Sequence, residues 1–186
     1  MKLKKKKGSI EMFISSMIFI IVALVIVMMM RLKVVKVTKN FVEDGLVASN
    51  LASATIDLRE YGTTNKIVNS DFEKSFNDYC VALKDNLNLN NDFTPKSSTL
   101  INSKVDIHNF TIYNVVDNNI EMIRREANGS ITRQSYPNKV GIMKAPNGAV
   151  INTTMVYSKI GFEIKGYLNN SHYVYKHNAV DITDKN

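Results

Sequence analysis

Three histidines, one cysteine, an asparagine-rich stretch and a group of tyrosines are the side chains whose types could do chemistry in this 186-residue chain. His172 and His177 stand five apart in a segment that reads as a strand, so the alternation of side chains sends them to opposite faces. They form no ligand pair, and His108 is far from both in the sequence. Cys80 falls on the apolar face of a predicted helix and reads as a small buried hydrophobe; its sequence neighbourhood offers no base to make it a nucleophile. The run from Asn86 through Asn88 and Asn90 to Asp92 alternates oxygen side chains as a calcium loop does. Ser97 stands where such a loop ends in a bidentate glutamate, however, and the turn glycine is missing. Arg124 and Arg125, with Arg133 across a hairpin, could make an anion patch, but Glu121 and Glu126 favour a solvated sheet face. Tyr157, Tyr167, Tyr173 and Tyr175 read as sheet packing rather than as a ligand platform. The chain has no phosphate-cradling glycine loop, no G-x-S-x-G and no H-E-x-x-H. Neither a metal nor another cofactor is implied, and catalysis is not expected.

The charge is distributed unevenly. The chain carries a formal +7, but residues 1–40 hold nine Lys/Arg and a single acid, Glu11, whereas residues 41–186 are nearly balanced. A nucleic-acid-binding domain needs its basic surface on the folded part. Here the excess flanks an apolar segment, so no nucleic-acid partner is expected. One cysteine excludes a disulfide framework.

Met12 to Met30 is a run of 19 residues without charge. As a helix it is roughly 28 Å long, close to the hydrocarbon thickness of a bilayer. The eleven Phe, Ile, Leu and Val between Phe13 and Val27 contribute on the order of −3 to −7 kcal/mol to insertion. Five lysines precede the run and Arg31, Lys33, Lys36 and Lys39 follow it, so charge favours a cytoplasmic N-terminus only slightly. The short segment before the span and the long one after it point the same way. The expected organisation is a basic cytoplasmic leader (1–8), a transmembrane helix (9–30), an amphipathic continuation of that helix (31–62) and an extracytoplasmic α+β head (63–186). Met28 to Arg31 offers no small-residue cleavage site, so the span is expected to stay attached.

Val47, Leu51, Ala54, Leu58 and Tyr61 recur at helical spacing, which predicts one helix over 10–61 that stops at Gly62. A shorter second helix is expected from Ser70, where Ser70 and Glu73 match a capping box and Phe72, Phe76, Tyr79, Leu83 and Leu87 make an apolar face. Beyond Pro95 the period falls to two. Strands are expected at Ile107–Val116, Ile120–Glu126, Ile131–Tyr136, Val150–Tyr157, Ile160–Leu168 and Tyr173–Val180. The turns are Asp117-Asn118-Asn119, Asn128-Gly129, Pro146-Asn147-Gly148 and Leu168-Asn169-Asn170. Helices first, strands last and short connections predict an α+β fold with a C-terminal antiparallel sheet.

The start of the chain, from Lys4 to Phe13, is a basic tail, a glycine and then a glutamate opening an apolar run. Together with a long helix that is half membrane span and half scaffold, this resembles the type IV pilins, and in particular the pilin and pseudopilin subunits of tight-adherence (Tad/Flp) systems. The resemblance covers about residues 1–61. It implies a pilin-like fold, cleavage by a prepilin peptidase between Gly8 and Ser9, and assembly with other pilin-like subunits through residues 9–61. Glu11 would pair with the new α-amino group of a neighbouring subunit, an ion pair that sets register in an apolar surrounding. Glu11 would be the third mature residue, whereas pilins usually carry this glutamate at the fifth. A plain membrane anchor is the alternative, with Ser9 capping the helix and Glu11 in its first turn. Two further alternatives are a membrane-tethered binding module and a scaffold that dimerises through 31–61.

Overall fold

The computed structural model describes residues 7–97, 100–165 and 170–182. It contains α1 (Lys7–Ser53), α2 (Leu58–Thr64), α3 (Phe72–Asn86), β1 (Asp106–Val116), β2 (Asn119–Glu126), β3 (Ile131–Tyr136), β4 (Met155–Lys165) and β5 (Ser171–Asp181). An α+β fold with an antiparallel sheet is what the pattern predicted. The chain divides into two units, one up to Val37 and one from Thr38 onward.

The first unit is a single helical segment. Every residue from Ile10 to Val37 is exposed. The helix is long and apolar enough to cross a membrane, with a mean hydropathy of 2.9 over its most apolar stretch.

In the second unit the helix continues to Ser53 rather than to Tyr61. Ser53 Oγ donates to the Asn50 carbonyl, and the chain turns away through residues 54–57. Asp57 then caps α2, accepting from the amides of Arg59 (3.0 Å) and Glu60 (3.1 Å). The expected stripe is not the buried one: Leu51 and Leu58 are 55% and 78% exposed. Val42, Leu46, Ser49, Asn50 and Ser53 are buried instead, again at helical spacing but half polar. The cap of α3 is Asp71, which accepts from Lys74 N (2.9 Å). Ser70 instead donates its hydroxyl to Asp57.

The five strands run in the order β3-β2-β1-β4-β5, all antiparallel. Asp117 (φ 56°) and Gly129 (φ 82°) take the left-handed backbone that the two tight turns of the β1-β2-β3 meander need. Two of the six expected strands merge. Residues 155–165 form one strand, and Val150 and Ile151 fold back on Met143 and Lys144. The expected turn at Leu168-Asn169-Asn170 falls mostly outside the described residues.

Both faces of the sheet are covered, by different means. Phe110, Ile112, Ile123, Val156, Ile160 and Phe162 point to one side, where Val42 and Leu46 of α1 and Phe72, Tyr79 and Leu83 of α3 close the main core. Tyr113, Ile120, Met122, Met155 and Tyr157 point to the other side, beneath Ala145 and Ile151 of the 137–154 segment. That cover spans only part of the second face.

Candidate functional site

The residues carrying the pilin resemblance lie at the start of α1. Gly8 and Ser9 are within the helix, and Met1 to Lys6 lie outside the described residues. The helix begins at Lys7, so Ser9 is not its cap, and Glu11 lies beyond the first turn. Glu11 is exposed, and no ion pair to it occurs among the described residues.

The head grips its own segment of α1 through polar contacts. Asn50 is fully buried; its Nδ2 donates to the Asn178 carbonyl of β5 (3.2 Å), and its Oδ1 accepts from Ser158 Oγ of β4 (2.7 Å). Lys176 of β5 donates to Glu43 Oε2 at 2.8 Å, and this bond holds the Glu43 carboxyl below its ordinary value. Gly45 lets Leu87 approach the helix: a Cβ there would stand 2.5 Å from Leu87 Cδ2. A helix buried against a sheet needs small and hydrogen-bonding residues where backbones come close. The buried stripe of α1 is accordingly part aliphatic, with Val42 and Leu46, and part polar, with Ser49, Asn50 and Ser53 each hydrogen-bonded.

The uncovered half of the second sheet face carries a cluster of polar aromatics. Tyr173 and Tyr175 of β5 are 43% and 55% exposed, contrary to the packing expected of them, whereas Tyr157 is buried. Tyr167 lies outside the described residues. The Tyr173 hydroxyl crosses β4 above Gly161 and donates to Asp106 Oδ2 (3.0 Å) at the start of β1. Its single proton is used there, so the 3.0 Å contact with His108 Nε2 has the imidazole as donor. His108 is the extra residue of a bulge between Ile107 and Asn109, which sets its ring beside β5. Burial, then the bond to Asp106, raises the Tyr173 phenol to about 12. Tyr175 meets the His108 ring edge-on (centroids 5.0 Å) and carries Lys159 Nζ 4.4 Å from its ring centre. No family model, curated protein or solved structure matches the chain. The site is therefore read from its own geometry.

The other groups singled out in the sequence remain apart. His172 is opposite Ile164 and His177 opposite Lys159, so they do lie on opposite faces. Arg124 and Arg125 also diverge. Arg125 stacks on Phe76 (4.6 Å) near Glu73 on the helical side, while Arg124 lies 3.6 Å from Glu126. Arg133 pairs with Ile123, so the three arginines make no single patch. Cys80 is half-buried against the main core, and burial raises its thiol to about 11, which leaves little thiolate at neutral pH. In the asparagine-rich loop, Asp92 accepts from Thr94 and Asn90 bonds Thr94. No cluster of three or more metal-ligating side chains occurs among the described residues. An open cleft of about 410 Å³ lies between Phe76, Phe93, Lys104, Asp106 and Arg125.

Nothing in the periodicity marked the tyrosine cluster as exposed. The available signal was three aromatic or imidazole residues at alternate positions, Tyr173, Tyr175 and His177, on one strand that ends in polar residues.

Proposed function

We propose that this chain is a membrane-anchored structural subunit, a pseudopilin or minor pilin of a type IV or Tad-like filament system, assembling through its apolar N-terminal helix. The observation that carries the reading is the double use of α1. Its residues from Ile10 to Val37 are all exposed and include the uncharged run Met12–Met30, while Val42, Leu46 and Asn50 further along the same helix are buried in the α+β head. In water, so much exposed apolar surface is unfavourable; lipid before assembly and other apolar helices after it both remove it from water. The N-terminus then lies in the cytoplasm and the head is exported, with the Gly8-Ser9 bond as the point of cleavage by a prepilin peptidase. Glu11 supplies the pairing charge.

Intact mass and N-terminal sequencing of the protein recovered from membranes test this. A chain beginning at Ser9 is expected. A chain beginning at Met1 replaces the proposal with its rival, a bitopic tethered binding or scaffold module that does not assemble. The exposed tyrosine cluster of the head is the feature that favours that rival.

A further inference from the structure

The geometry points to the uncovered sheet face around Tyr173 and Tyr175 as a binding site for a neutral carbohydrate chain. Both rings are held in place while exposed. Ordering a side chain costs conformational entropy, and an exposed side chain recovers little of that through burial. Tyr173 is nevertheless fixed by Asp106 and His108, and Tyr175 by His108 and Lys159. Glycine at 161 is part of the arrangement, because a Cβ there would collide with the Tyr173 hydroxyl. The result is a preorganised pair of rings, and preorganisation lowers the cost of binding. Tyrosine is also the side chain that offers large contact area for few rotatable bonds.

The chemistry around the rings selects the ligand. Of the described charged side chains that act on the two rings, Asp106 and Glu163 are anionic and Lys159 is cationic, so nucleic-acid phosphates and acidic chains are not favoured there. The rim is polar rather than aliphatic, which does not suit a lipid tail. A sugar ring presents C–H groups to an aromatic face, where the negative quadrupole attracts them. Its hydroxyls find an acceptor in Asp106 and a donor in Lys159. The inference requires neither cleavage at Gly8 nor filament assembly.

The test is isothermal titration of the full chain, in a zwitterionic detergent without a sugar headgroup, with cellotetraose, maltotetraose and tetra-N-acetylchitotetraose. Saturable binding of at least one is expected, weakened about tenfold or more in Tyr175→Ala, the loss of one stacked ring, and likewise in Gly161→Val. Tyr175 is 55% exposed, so its truncation leaves the fold intact and decides the matter if Gly161→Val does not fold. No binding of any of the three, or equal affinity in Tyr175→Ala, overturns the inference. Self-association that Tyr175→Ala abolishes, without any sugar binding, also overturns it and makes the face a contact between copies.

Discussion

Asn50 joins three elements through one amide. It sits on α1 and satisfies a buried hydroxyl on β4 and a part-buried carbonyl on β5. Replacing it with leucine keeps the volume but strands both partners, and a stranded buried polar group costs about 1–3 kcal/mol. Asn50→Leu should therefore lower head stability by about 2–4 kcal/mol in chemical denaturation. The Glu43–Lys176 pair behaves differently. Its carboxylate is 47% exposed, so solvent screening keeps its contribution at neutral pH below about 1 kcal/mol. The folded state lowers the Glu43 carboxyl from its ordinary 4.5. Its stabilisation is thus complete above that value and is lost as pH falls through the lowered one. Glu43→Gln should be slightly less stable than the parent at pH 7, and the difference should vanish in denaturation series carried well below pH 4.5. Asn50 was not legible in the sequence, because a polar residue on a helix reads as exposed until the sheet behind it is known.

At the scale of elements, the register of α1 against the sheet is the main departure from the periodicity. The stripe through Val47, Leu51 and Leu58 is the more hydrophobic, yet the stripe through Val42, Leu46 and Asn50 faces the core. Leu46→Ala should cost about 2–5 kcal/mol of head stability, as large-to-small changes in a filled core do. Leu51→Ala should stay within about 0.5 kcal/mol, the range of surface substitutions. Equal effects at the two positions would reverse this assignment of faces. The break at 54–57 has a similar origin. Asp57 is a strong local cap, and its bonds to Arg59, Glu60 and Ser70 offset the lost continuity of the helix. Strand positions were easier to read, since hairpin turns such as Asn128-Gly129 set them locally. Residues 155–165 make one strand because β1 and β5 both pair with it across Ser158 and Lys159, and the Ser158 hydroxyl, a polar interruption in the sequence pattern, is spent on Asn50.

At the scale of the whole molecule, the proposed function rests on the apolar run. A lysine at the centre of a span costs about 2.5–3.5 kcal/mol on the insertion scale. Val22→Lys should shift the protein out of the carbonate-resistant membrane fraction, with head stability unchanged because Val22 is exposed and lies outside the head unit. Retention of that variant in the membrane would show that the helix does not anchor the chain by insertion. The filament reading adds a separate expectation. Glu11→Ala should remain in membranes but fail to enter an assembly, as judged by sedimentation of sheared surface material. Normal incorporation would remove the ion pair from the mechanism.

The sequence by itself determined the apolar helix, the α+β class and the tight turns, because each depends on neighbours within a few residues: hydropathy, period and turn chemistry. Tertiary structure alone decided which stripe of α1 is buried, how Ser158 and Asn50 meet across 108 residues of chain, and that Tyr173 and Tyr175 stay in solvent. Those outcomes depend on where the 137–154 segment ends over the sheet and on which backbones approach closely. The local pattern of a strand or helix carries no record of either.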